Sequence, residues 1–316
     1  MEKVLEKFKN LFKGEECLKR HGMFLLLLLL PALAGGMCYV IDKDTPKEIV
    51  IPVLIITLVL LLLSIVPAFF LNGFAVDFFK SRIKSKVGLP KLDGEMFMKG
   101  LKVFPLQLYW GLLCGVLCLI GMSIPFALII GGIVNMKSDP VLLILGLILF
   151  LVFYFLLIIA FLILAPFFNY IYLTFIEDFV YRGEYFNPMT LVYYIKTVFK
   201  DTMITMLKFL LASMIINMIV QTVVMIVVFF VGIFATFIGA ATSGNSESII
   251  TPVSVIIMIP VCTLAVLVHS YTYSMISFAA GDAYIDIYKE KIRLPDPLDN
   301  QENPQQDDGW NNNLSI

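Results

Sequence analysis

Few side chains in this sequence have the type and spacing to do chemistry. Ser213, Asn217 and Gln221 recur every four residues, which places three polar groups on one face of a helix. In an otherwise apolar helix, such a stripe bonds to a neighbouring helix or lines a path for a polar substrate. His269 stands beside Ser270, Tyr271, Thr272 and Tyr273, and its main reading is a hydrogen-bonded structural imidazole. Cys114 and Cys118 are one helical turn apart, but no His or carboxylate lies near them in sequence. They read as small packing residues, not as a metal pair. No metal or cofactor is expected.

The acids Asp77, Glu177, Asp178, Asp282 and Asp286 sit close to the ends of apolar runs. They could form a cytosolic-side site, but the adopted reading is charge balance against surrounding Lys and Arg. No H-E-x-x-H, G-x-S-x-G or G-x-x-x-x-G-K-[ST] occurs. Enzymatic activity is therefore not expected. Ionisable groups inside spans usually mark proton or ion paths. Their scarcity here argues against a proton-coupled pump.

The elements that must position these residues are transmembrane helices. The chain of 316 residues is 59% hydrophobic and 15% charged, with mean hydropathy +0.91. A soluble domain carries about 25% charged residues, and one core could not hide this much apolar surface. A spanning helix needs about 20 apolar residues. Six runs qualify: 23–41, 49–70, 105–134, 141–168, 209–241 and 252–280. Gly111 and Gly115 form a G-x-x-x-G on the third, a motif that permits close helix approach. The rival for the first run is a cleaved signal peptide ending near Ala32-Leu33-Ala34. Glu2, Glu6, Glu15 and Glu16 in its leader count against that.

Lys and Arg set the orientation. The leader carries Lys3, Lys7, Lys9, Lys13, Lys19 and Arg20. The segment after the second run carries Lys80, Arg82, Lys84, Lys86, Lys91, Lys99 and Lys102. Alternate loops hold only Lys43, Lys47 and Lys137. Six spans with both termini in the cytosol satisfy this asymmetry, in the cytoplasmic membrane. The expected fold is an all-α integral membrane protein of three hairpins with cytosolic interfacial amphipathic helices. Residues 1–22 form an amphipathic N-terminal helix, 23–290 the six-helix membrane domain, and 291–316 a disordered acidic tail. In the first of these, Val4, Leu5, Phe8, Leu11 and Phe12 make an apolar stripe flanked by lysines. The reading is a helix lying on anionic lipid. Asp77, Asp178 and Asp282 stand roughly 100 residues apart, each after a span, which suggests an internal repeat.

Leu71-Asn72-Gly73-Phe74, then a basic segment, then Leu89-Pro90 and Phe97-x-x-Gly100-Leu101-Lys102 resemble a prokaryotic membrane family called domain of unknown function 4013. Tyr181-Arg182-Gly183-Glu184 and Gly281-Asp282-Ala283-Tyr284 fit as well. The resemblance covers roughly residues 20–290. It implies an architecture and a bacterial or archaeal membrane, not a mechanism. The first functional expectation is a non-enzymatic scaffold that binds membrane or cytosolic protein partners through its basic face. The alternative is a facilitator or transporter subunit for a small or lipidic substrate, with Ser213, Asn217, Gln221 and His269 on its path. A nucleic-acid partner is not expected; the obligatory partner is the lipid bilayer.

Overall fold

The computed structural model describes residues 2–14, 16–40, 47–134, 141–243 and 252–292. Those residues form eight α-helices and one 3-10 turn, with no strand among them. The helices are α1 (Glu2–Leu11), α2 (Cys17–Val40), α3 (Lys47–Leu63), α4 (Ile65–Ile83), α5 (Glu95–Val134), α6 (Val141–Asp178), α7 (Pro188–Ser243) and α8 (Pro252–Lys291). The turn is Gly183–Phe186. Six stretches are long and apolar enough to cross a membrane, with α3 and α4 counted together. The expected acidic tail and most residues of the three lysine-poor connections lie outside the described residues.

Local chemistry explains the breaks. The Ser64 hydroxyl donates to the Leu60 carbonyl at 2.7 Å, a back-bond that loosens a helix. Pro67 follows within the first turn of α4, where a missing N–H costs nothing. The second apolar run therefore divides in two. Asp93 Oδ1 accepts from the Met96 amide at 3.1 Å and caps the start of α5. Asn187 Oδ1 accepts from the Met189 amide at 3.0 Å, and Pro188 opens α7. Beyond these caps, the amphipathic segments and the spans fuse into single rods. α5 starts at Glu95 and not at Pro105, and α8 runs unbroken to Lys291. α7 bends only at Val198, where φ −125° and ψ 15° leave the helical region.

α5 packs along both α4 and α6, while α8 packs along α2 and α7. Gly73 and Gly100 set the first contact. A Cβ on either would overlap a carbonyl oxygen of the facing helix, Met96 for Gly73 and Phe69 for Gly100. Small residues that let backbones meet are the standard device for helix association in lipid. Gly111 and Gly115 do not do this within the chain, since nothing lies within 4 Å of a Cβ built on either.

The core is concentrated at the lysine-rich end. Phe24, Phe74, Phe78, Phe167, Tyr170 and Tyr185 are all but sealed from solvent. The middle of α6 has no buried residue in its most apolar window, and Leu117, Leu119, Leu151 and Phe155 are exposed around it. So large an apolar surface needs a nonpolar solvent.

The structure corrects the reading of the N-terminal stripe. α1 packs on α8 and α7, with Val4 and Leu11 buried in the same core as Phe24, Phe74 and Phe278. Only Leu5 and Phe12 of the five stripe residues stay exposed. The stripe is wide enough for a protein groove, and α7 and α8 supply one, with Phe8 against Phe209 and Val4 and Leu11 in the core that holds Phe278.

Candidate functional site

The polar groups converge at the lysine-rich end, where α1 is bolted across α2, α4 and α8. Arg82, in the last turn of α4, is 4% exposed, and Asp282 of α8 is 5% exposed. Burial at this level requires partners for both charges. The Arg82 Nη1 and Nη2 atoms donate to the carbonyls of Lys86 at 2.9 Å and Asn10 at 3.1 Å. Its Nε lies 3.8 Å from Asp282 Oδ2. Lys7 of α1 stands 3.6 Å from Asp282 Oδ1 and 2.8 Å from Asp286 Oδ2, and donates to the Asp282 carbonyl at 3.3 Å. One cluster thus ties together three helices that are distant in sequence.

His21 makes the second tie. Its Nε2 lies 3.3 Å from the Leu11 carbonyl and its Nδ1 lies 2.6 Å from the Tyr271 hydroxyl. A carbonyl only accepts, so Nε2 carries the proton and Nδ1 accepts from the tyrosine. Phe12 stacks on the imidazole with centroids 4.6 Å apart. The third tie is the segment between α4 and α5. Gly88, at φ +83°, donates its amide to the Asn10 carbonyl at 2.9 Å. Arg20 Nη1 donates to the Leu89 carbonyl at 2.7 Å.

That segment walls a cleft of about 460 Å³ between the ends of α2, α4 and α5. Six cations line it, Arg20, Lys80, Lys84, Lys86, Lys91 and Lys99, against the carboxylates of Asp77 and Asp93. Lys99 is held by Asp77 at 2.9 Å, with Glu95 at 3.5 Å and Asp93 at 3.9 Å. Lys80 stands over the Phe179 ring at 5.9 Å. Lys84, Lys86 and Lys91 have no carboxylate partner among the described residues.

The five acids singled out from the sequence do not form one site. Asp282 and Asp286 share Lys7, whereas Asp77 binds Lys99. Asp178 binds Arg182 at 2.7 Å, and Glu177 accepts from the Tyr288 hydroxyl at 2.6 Å. Asp178 also accepts from the Tyr185 hydroxyl at 3.3 Å. Burial and that carboxylate push the Tyr185 phenol up to about 12. Four of the five acids thus pair with Lys or Arg, and Glu177 bonds to a tyrosine hydroxyl.

On α7, Asn217 donates to the Ser213 hydroxyl at 3.2 Å, while its own buried Oδ1 has no partner within the structure. Gln221, one turn further, is exposed, and so is His269 on α8. The imidazole that is buried and bonded is His21, not His269. Arg82 was equally hard to find, because it sits in a row of lysines. The one signal was its alignment with Phe74 and Phe78, at i−8 and i−4 on the same helix face.

A family described as Protein of unknown function (DUF4013) matches residues 56–229, more than half of the chain. The chain belongs to this family. The match takes in α4, the basic segment, α5, α6 and most of α7, including Gly73, Gly100 and the lysines of the cleft. It is narrower than the resemblance read from the sequence, and α1 and α8, which supply Lys7 and Asp282, fall outside it. No curated protein and no solved structure matches the chain.

Proposed function

We propose that this DUF4013 chain is a non-enzymatic component of the cytoplasmic membrane whose basic end docks protein partners. It spans the bilayer six times with both termini in the cytosol, its spans grouped as three hairpins. The observation that carries the reading is an imbalance at the basic end. The acids that line the cleft, Asp77 and Asp93, both reach Lys99, while Lys84, Lys86 and Lys91 on the same cleft have no carboxylate partner among the described residues. Rigid, electrostatically complementary surfaces favour specific and rapid association.

The test is photo-crosslinking in native membranes from side chains introduced at Ser85 and Glu184. A reproducible cross-linked protein at either position supports docking. Cross-links to lipid alone at both positions contradict it.

A second reading, a facilitator for a small neutral substrate, draws on a different cleft. It measures about 300 Å³ between α4, α5 and α6 and carries three carboxamides, Asn72, Gln107 and Asn169. Asn72 and Gln107 already exchange hydrogen bonds at 3.1 and 3.4 Å, so a substrate would have to break a satisfied pair. Proteoliposome flux unchanged by Gln107→Leu would count against this reading.

A further inference from the structure

The geometry points to the basic cleft as a binding site for a phosphate-bearing anion, held by Lys84, Lys86 and Lys91 with Arg20 at its wall. A run of lysines is ordinarily a solvated face. Here the backbone that carries them is fixed into a concave shape. Arg82 binds the Lys86 carbonyl, Asn10 binds the Gly88 amide, and Arg20 binds the Leu89 carbonyl. Ser85 and Gly88 both adopt positive φ, at 58° and 83°, which turns the chain sharply between the lysines. Three lysines thereby line one cavity whose two carboxylates, Asp77 and Asp93, are engaged by Lys99. The Arg20 Nε, buried beside them, has no partner within the structure. Unpaired guanidinium and ammonium donors on one cavity form the donor set that phosphate oxygens satisfy.

Size and place narrow the ligand. About 460 Å³ exceeds what one phosphate group fills and leaves room for a headgroup beyond it. The cleft lies at the lysine-rich end of helices long enough to span a bilayer, where basic pockets between helices take up anionic headgroups. An anionic phospholipid headgroup and a soluble phosphate share this chemistry. The inference rests on the membrane reading above, but not on a protein partner.

The experiment uses the full chain, purified and stripped of lipid, and native mass spectrometry. Phosphatidylglycerol and the phosphate-free diacylglycerol are titrated separately. The expected result is selective retention of phosphatidylglycerol, weakened by at least about tenfold in the triple variant Lys84→Gln, Lys86→Gln, Lys91→Gln. The control triple variant Lys196→Gln, Lys200→Gln, Lys208→Gln removes equal charge from exposed positions on α7 and should bind as the parent does. Equal weakening by both variants, or equal retention of the two lipids, would overturn the site. Competition by inorganic pyrophosphate would assign the site to soluble phosphates, and its absence to a headgroup. All six lysines are exposed, so both variants should unfold at the parent's temperature, which a melting curve checks. Failure here would leave the cross-linking result at Ser85 and Glu184 standing.

Discussion

Arg82 and Asp282, 200 residues apart in the sequence, meet at the basic end with Nε and Oδ2 3.8 Å apart and both side chains buried. Removing Arg82 leaves Asp282 with Lys7 alone, and removing Asp282 leaves the buried guanidinium with backbone carbonyls only, whereas removing both strands neither charge. Arg82→Met alone and Asp282→Asn alone are each expected to cost about 3–5 kcal/mol. The double variant should cost clearly less than their sum. Thermal unfolding of the four proteins in detergent measures this cycle, and additive losses would show that the pair is not coupled.

His21 and Tyr271 fasten the start of α2 to α8, and through the Leu11 carbonyl they also hold the end of α1. Tyr271→Phe removes one hydrogen bond, worth about 1 kcal/mol, without changing shape. His21→Leu removes both bonds and the stacking with Phe12. The expected outcome is faster trypsin cleavage at Lys7, Lys9 and Lys13, greater for His21→Leu than for Tyr271→Phe. Unchanged cleavage in both would mean that the apolar groove alone holds α1.

Glycine substitutions separate contacts made within the chain from surface that is open in it. Gly73→Ala and Gly100→Ala put a methyl group into backbone, and each should cost about 1–3 kcal/mol. Gly111→Ala and Gly115→Ala meet open space and should stay within about 0.5 kcal/mol. Melting temperatures check the ranking.

The architecture was readable because its signals are long. Six apolar runs need only counting, and the described residues contain six long apolar stretches at those places. The helix ends were less readable. Asp93 and Asn187 start helices that continue into the apolar stretches, so polar segments read as separate elements are extensions of them. The site was less readable still. Arg82 differs from its lysine neighbours only in what α1 and α8 bring to it, and no local pattern encodes a contact between residues 10, 82 and 282. The Ser213, Asn217 and Gln221 spacing was real as a helix face, but the middle of that face bonds within its own helix.

That stripe gives one further expectation. Asn217 Oδ1 is buried without a partner in the structure, so Asn217→Leu should leave the melting temperature unchanged or raise it, because an orphaned acceptor is removed. A marked loss of stability would show that a partner outside this chain satisfies it.

In the proposed topology the basic, cross-tied end of the molecule faces the cytosol. Single cysteines introduced into a Cys-free protein at Asp44, Ser85, Lys137, Glu184, Asn245 and Asn300, labelled on intact cells with an impermeant maleimide, test it directly. The account predicts labelling at Asp44, Lys137 and Asn245, and protection at Ser85, Glu184 and Asn300 until the cells are opened. Labelling of Ser85→Cys or Glu184→Cys on intact cells would place the basic cleft outside and contradict the account.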